Sequence, residues 1–216
     1  MIKGHDQPPR GLNVAGAGQL ATNTQILQDA INSRLPRPVR RPGLVVMCGL
    51  PGTGKTTLAR WLAQRLPLAV LESDELRQTL FINRRYSRHE NAQLFPAMHE
   101  LVGFLLDQGR SVLLDATNLQ QKHREPLYRI AEDRGKWVSV VHVVAPMDIV
   151  FHRLHQRSVE GDLIGSSEAG WSVYLRLRRT MESIGRPHVI VDTSRDTTNS
   201  LERLTEEISQ KGLRLS

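Results

Sequence analysis

One cysteine, Cys48, is present in 216 residues, so no disulfide can form within the chain. Aromatic residues are scarce at 5%. That argues against a flat base-stacking surface of the kind that reads single-stranded RNA. Long apolar runs are also missing: the longest, Val138–Phe151, is broken by His142 and Asp148 and is too short and too polar to span a bilayer. No apolar segment follows Lys3 in the manner of a secretory signal, so a cytoplasmic location without a membrane partner is expected. The eight histidines do not group with cysteines, and His152 and His155 lack a third ligand, so zinc is not expected. Lysine is rare too, with five lysines against 24 arginines.

What is present is an ordinary globular composition, 39% hydrophobic and 24% charged. The net charge is +7, and four of those charges lie in residues 1–42. The rest of the chain is only mildly basic, which permits an anionic partner without requiring one. Residues 1–18 carry no apolar period and read as a tail. Residues 19–35 place Leu20, Ile26, Leu27, Ala30, Ile31 and Leu35 roughly on one helical face. Residues 34–42 hold three prolines and four arginines and read as an extended basic connector. The expected organisation is therefore an N-terminal extension over 1–42 and one catalytic domain over 43–216.

From residue 43 short apolar runs alternate with helical patterns. The runs are Leu44–Cys48, Leu68–Leu71, Ser111–Leu114, Trp137–Val144 and His188–Val191. Continuous rather than alternating apolar character marks strands buried on both faces. Five such strands with intervening helices predict an α/β fold with a mainly parallel sheet, covered by helices on both faces. Pro96 falls inside the long helical pattern at His89–Gln108 and is expected to kink or split it.

The first strand runs into Gly49-Leu-Pro-Gly-Thr-Gly-Lys-Thr56, which fits G-x-x-x-x-G-K-[ST] in the required strand–loop–helix setting. Glycines permit the backbone to turn successive N–H groups inward as a nest for phosphate oxygens. The helix that follows adds its partial positive charge. Gly49, Pro51, Gly52, Thr53, Gly54, Lys55, Thr56 and Thr57 are thus the expected phosphate-binding residues for ATP. Lys55 reaches the β- and γ-phosphates, and the Thr56 hydroxyl ligates Mg²⁺.

A phosphate loop alone does not specify a reaction, and the ends of the next strands do more. In a parallel sheet the ligand crevice lies at the C-terminal strand ends. The second strand ends Leu71-Glu-Ser-Asp74-Glu-Leu-Arg77. Asp74 there could take the proton of an acceptor hydroxyl or simply cap a helix. Arg77 could balance charge on the transferring phosphoryl group. The third strand ends at Asp115, followed by Thr117 and Asn118. Asp115 is the candidate for a contact to Mg²⁺ or its water, and Thr117, Asn118 and Arg124 are candidates for binding the acceptor. Arg153 and Arg157 are four apart on one helical face, before a glycine-bearing segment. They read as a lid, around 151–168, that closes on the triphosphate and excludes water.

Taken in order, the phosphate loop, Asp74-x-x-Arg77, Asp115-Ala-Thr-Asn118 and Arg153-x-x-x-Arg157 resemble the polynucleotide 5′-kinase and zeta-toxin-like group of AAA-type P-loop kinases over about residues 44–194. The resemblance implies ATP-dependent phosphoryl transfer to a hydroxyl. It implies Asp74 as general base, Arg77 on the acceptor phosphate, and Arg153 and Arg157 on the donor phosphates. One departure is that Ala116, not the acid, immediately precedes Thr117-Asn118. A polynucleotide 5′-hydroxyl is the first expectation for the acceptor, since Arg84, Arg85 and Arg88 could line a phosphate-bearing groove. A small-molecule alcohol, as for zeta-toxin-like or antibiotic kinases, is the alternative. A non-catalytic ATP-binding module is the reading from another class. The oligomeric state is open at this level.

Overall fold

In the computed structural model the described residues are 14–159, 167–195 and 197–213. Helix α1 (Val14–Ile31) and a 3-10 turn (Asn32–Arg34) precede strand β1 (Gly43–Cys48). Then follow α2 (Lys55–Ala63), β2 (Leu68–Glu72), α3 (Ser73–Leu80), α4 (Arg88–Asp107), β3 (Ser111–Asp115) and α5 (Gln121–Glu132). The rest is β4 (Trp137–Val144), α6 (Met147–Val159), α7 (Ser167–Arg178), β5 (Val189–Asp192) and α8 (Thr198–Ile208). The strands form one five-stranded sheet in the order β2-β3-β1-β4-β5, and every pairing is parallel. This is the α/β architecture that the sequence predicts, a five-stranded parallel sheet with helices on both faces.

The strand period of two sorts β1 between two cores. Leu44, Val46 and Cys48 join the side formed by α1, α3, α4 and α5. Val45 and Met47 join the side formed by α2 and α8. All five are buried, which is why the run is continuously apolar. Burial pushes the Cys48 thiol up to about 12, so it is an apolar filler rather than a nucleophile. A third, smaller cluster holds Val150 and Leu154 of α6 and Tyr174 of α7 against Leu50 and Leu119. It seats the α6–α7 pair directly over the loop after β1.

Two local expectations change. Pro96 neither splits nor ends its helix: α4 runs unbroken from Arg88 to Asp107. A proline inside a helix costs ~3 kcal/mol. Here Leu94, Ala97, Met98, Leu101, Val102, Leu105 and Leu106 are all buried around it, and their burial outweighs the lost hydrogen bond. The N-terminal helix also begins earlier than its apolar period suggests, at Val14. Leu27 and Ile31 are fully buried in the same core as Leu76, Leu94 and Met98, so α1 lies on α3 and α4. The connector is pinned along the N-terminal edge of the sheet. Val39 N–H donates to Gly109 O (2.8 Å), Arg110 donates to Pro36 O, and Trp137 Nε1 donates to Arg41 O (2.9 Å). Its arginines Arg37, Arg40 and Arg41 stay exposed.

Candidate functional site

The loop from Gly49 to Gly54 turns under backbone constraints that only glycine meets at two positions. A Cβ on Gly49 would stand 2.4 Å from Val143 O, and Gly54 caps α2 at φ +88°. Gly49 N–H donates to Thr117 O (3.0 Å), and the Thr53 hydroxyl donates to Leu50 O (2.8 Å). The Lys55 ammonium is folded back onto Leu50 O at 2.9 Å. Pro51 is half-buried and Thr57 is exposed on the first turn of α2. The loop is thus held from below and on both flanks, with its N-terminal helix turn open.

Three carboxylates gather on the β2–β3 side of this loop. Glu72 and Asp115 are register partners at the ends of their strands. Asp115 Oδ2 accepts from the Thr56 hydroxyl at 2.6 Å. Burial pushes the Asp115 carboxyl up; the Thr56 hydrogen bond and Lys55 oppose this, and the charge of Asp74 adds to it. Burial and the charge of Asp115 likewise hold Glu72 above the usual carboxylate range. Asp74 stands exposed in the first turn of α3, where Glu72 is the cap position, so Asp74 is not the capping residue. Among the described residues no cluster of three His, Cys, Asp or Glu could by itself hold a metal. Mg²⁺ at a phosphate loop does not need one, because it takes one or two protein oxygens and fills its shell with water and phosphate. The Thr56 hydroxyl and the Asp115 carboxylate, bonded to each other beside the loop, fit that role.

Two of the arginines, Arg77 and Arg124, are engaged inside the protein. Arg77 is 4% exposed. Its Nη1 pairs with Glu90 (3.1 Å), its Nη2 donates to Asn91 Oδ1 (2.7 Å), and its guanidinium lies 4.9 Å over the Tyr86 ring. Its charge is balanced inside the protein rather than offered to an acceptor phosphate. Arg124 is 2% exposed and donates to Asn118 O (3.0 Å) and Ser183 O (2.7 Å). It braces the loop after β3, which corrects its assignment to the acceptor. Asn118 is corrected for the same reason: it is buried, and its Nδ2 donates to Met47 O at 2.8 Å. Thr117 is half-buried and contributes its carbonyl to Gly49. Arg153 does reach the phosphate loop: Nη1 donates to the Thr193 hydroxyl (2.8 Å) and faces Gly52 O (3.5 Å), and Nη2 donates to Thr193 O (2.7 Å). The Arg157 side chain and the segment 160–166 of the expected lid lie outside the described residues. What is described of the lid is firmly packed, with Phe151 edge-on to Trp171 (5.1 Å) and Trp171 stacked on Tyr174 (4.9 Å).

Sequence reasoning missed Glu90, Tyr86 and Thr193. The buried Glu90 carboxylate accepts from Arg85 N–H (2.7 Å), Tyr86 N–H (2.8 Å) and Arg77. Burial pushes it up, but these hydrogen bonds outweigh burial and hold it below its ordinary value. Tyr86 is exposed at a positive φ of 51°, a costly backbone for a non-glycine residue. Partial burial and the charge of Asp74 raise its phenol, and the ring lies against the Arg77 guanidinium. The only hint in the sequence was an acid thirteen residues after Arg77, too far for any local rule.

On the opposite, β5 side, a cleft of ≈ 580 Å³ opens beside the loop, lined by Gly54, Thr57, Trp61, Arg153, Gln156 and Thr193 among others. Its size suits a nucleoside. The strand order therefore puts this cleft and the carboxylates on opposite flanks of the phosphate loop.

A family profile described as "AAA domain" matches residues 44–184. An adenylyl-sulfate kinase of Chloroflexus aurantiacus is 30% identical over 136 residues, covering 58% of this chain and 71% of its own. Among solved structures, the Mycobacterium tuberculosis APS kinase CysC in complex with AMPPNP and APS is similar with a TM-score of 0.57 at 20% identity, covering 81% of this chain and 98% of that one. A gluconokinase from Sinorhizobium meliloti is similar with a TM-score of 0.57 at 19% identity, covering 80% and 99%. The two structural likenesses speak to the fold.

Proposed function

Since the chain belongs to the AAA-domain family of P-loop kinases, we propose that it is an ATP-dependent kinase that phosphorylates a hydroxyl of a small molecule. The observation that carries this reading is the Thr56–Asp115 hydrogen bond of 2.6 Å, with Asp74 and Glu72 beside it. It joins a phosphate loop to a set of acids on one flank. A passive nucleotide switch has no use for an exposed carboxylate there.

The backbone N–H groups of the loop and Lys55 bind the donor phosphates. Arg153, on the other flank, adds charge near Gly52. The Thr56 hydroxyl and the Asp115 carboxylate would hold a magnesium ion, which would supply positive charge to the transferring phosphoryl group. Asp74 accepts the acceptor's proton as its oxygen attacks the γ-phosphorus, and the bond to the β-phosphate oxygen breaks. The α6–α7 pair shields the loop from water, which favours transfer over hydrolysis.

The small-molecule acceptor is better supported than a polynucleotide. Sequence relatives carry names for adenylyl sulfate, a small molecule. Of the arginines expected to line a nucleic-acid groove, Arg85 and Arg88 are exposed and Arg84 is half-buried, so the preference for a small molecule rests on the relatives rather than on these side chains. The test is incubation with γ-labelled ATP and Mg²⁺ against adenylyl sulfate, gluconate and a 5′-hydroxyl oligonucleotide. Label on a small molecule is expected. Label confined to the oligonucleotide would restore the polynucleotide acceptor. ATP binding without transfer to any hydroxyl would leave a binding module.

A further inference from the structure

Thr193, in the turn between β5 and α8, is where three parts of the nucleotide side meet. Its N–H donates to Val144 O of β4 at 3.0 Å. Its hydroxyl donates to Thr53 O in the phosphate loop at 2.7 Å. The hydroxyl carries one proton, so the longer approach to Val144 O at 3.4 Å is not the bond made. With the proton committed to Thr53, the lone pairs turn toward Arg153. Nη1 donates to them at 2.8 Å while Nη2 donates to the Thr193 carbonyl at 2.7 Å. This is a two-pronged grip on a planar guanidinium, which fixes direction as well as distance. The Thr193 side chain also packs 3.3–3.5 Å from where a Cβ on Gly54 would stand, so Gly54 and Thr193 form one wall of the cleft.

Arginine on a helix has four side-chain torsions and loses much rotamer freedom when it is fixed. A partner that fixes it beforehand removes that cost from ligand binding. We propose that Thr193 is the positioning residue for Arg153: it aims the guanidinium of α6 across the phosphate loop and links that aim to the cleft that receives the nucleoside. The proposal rests on the kinase reading above. Thr193 acts through Arg153 and does not itself touch the reacting atoms.

The experiment is a double-mutant cycle on the full chain, with affinity for MgATP read by titration calorimetry and the melting temperature recorded for each variant. Thr193→Val keeps the shape and removes the hydroxyl; it is expected to weaken MgATP binding about tenfold. Thr193→Ser restores the hydroxyl and should bind within about twofold of the wild type. In an Arg153→Ala background, Thr193→Val should change affinity by less than about twofold. If valine proves too destabilising, Thr193→Ala supplies the same comparison. Equal losses in both backgrounds would overturn the proposal, because Thr193 would then act through Thr53 and not through Arg153. A serine variant as weak as the valine one, or a valine variant as tight as wild type, would overturn it too. A wild-type chain that binds no MgATP would overturn the kinase reading and this proposal together.

Discussion

The Thr56 hydroxyl donates to Asp115 Oδ2 across 2.6 Å, joining the first turn of α2 to the end of β3. The two residues are 59 apart in the chain, and the contact exists because β1 and β3 are neighbours in the sheet. It places a buried acid that resists ionisation next to the phosphate loop.

That acid has a cost for the fold. Its folded-state pKa is raised from 3.8, so the ionised form is penalised in the folded protein at every pH above that value. Asp115→Asn removes the penalty. The melting temperature of the metal-free protein should rise by a few degrees at pH 7, and the gain should shrink as pH falls toward 3.8. The same variant should lose Mg²⁺-dependent ATP binding. A lower melting temperature at pH 7 would contradict this account.

In the proposed mechanism Asp74 carries the transfer step and little of the donor binding. Asp74→Asn is expected to reduce turnover by about 10²–10⁴-fold, with affinity for MgATP close to wild type. Single-turnover assays with label in the γ-position, run beside calorimetry, separate the two. Turnover that survives the substitution would remove Asp74 as the base.

Glu90 holds the acceptor-side loop through two backbone amides and Arg77. Its folded-state pKa is depressed below 4.5, so its stabilising effect is present above that value and is lost as pH falls through the folded value. Glu90→Gln should lower the melting temperature at pH 7, with the gap narrowing in acid. Hydrogen exchange should show the amides of Arg85 and Tyr86 losing protection in this variant. Unchanged protection would mean the carboxylate is not what fixes the loop.

Helix α1 is built into the core through Leu27 and Ile31. Leu27→Ala should destabilise the chain by about 2–5 kcal/mol in urea unfolding. Arg37→Ala, on the exposed connector, should stay within about 0.5 kcal/mol of wild type. A cost near zero for Leu27→Ala would show that α1 is not part of the cooperative unit.

Much of the fold was legible because its signals are local. A strand buried on both faces must be apolar at consecutive positions, and all five strands were found within about one residue of their ends. The phosphate loop was legible for the same reason, since its glycines, Lys55 and Thr56 act within one turn of chain. Pro96 does not split α4, because the core around it outweighs the local stereochemistry. The partners of Arg77 and Arg124 were not legible, because a guanidinium suits phosphate, carboxylate and carbonyl alike.

By itself, then, the sequence determined what short-range chemistry dictates: a buried parallel sheet, a nest for phosphate, and acids at the strand ends that follow. The tertiary structure decided which partner each charged side chain meets. Arg77 finds Glu90, Arg124 finds Ser183, and Arg153 finds Thr193. Those pairings lie 13, 59 and 40 residues apart. They depend on strand order and helix packing, and a hydrogen bond forms only between groups that the whole fold brings within about 3 Å.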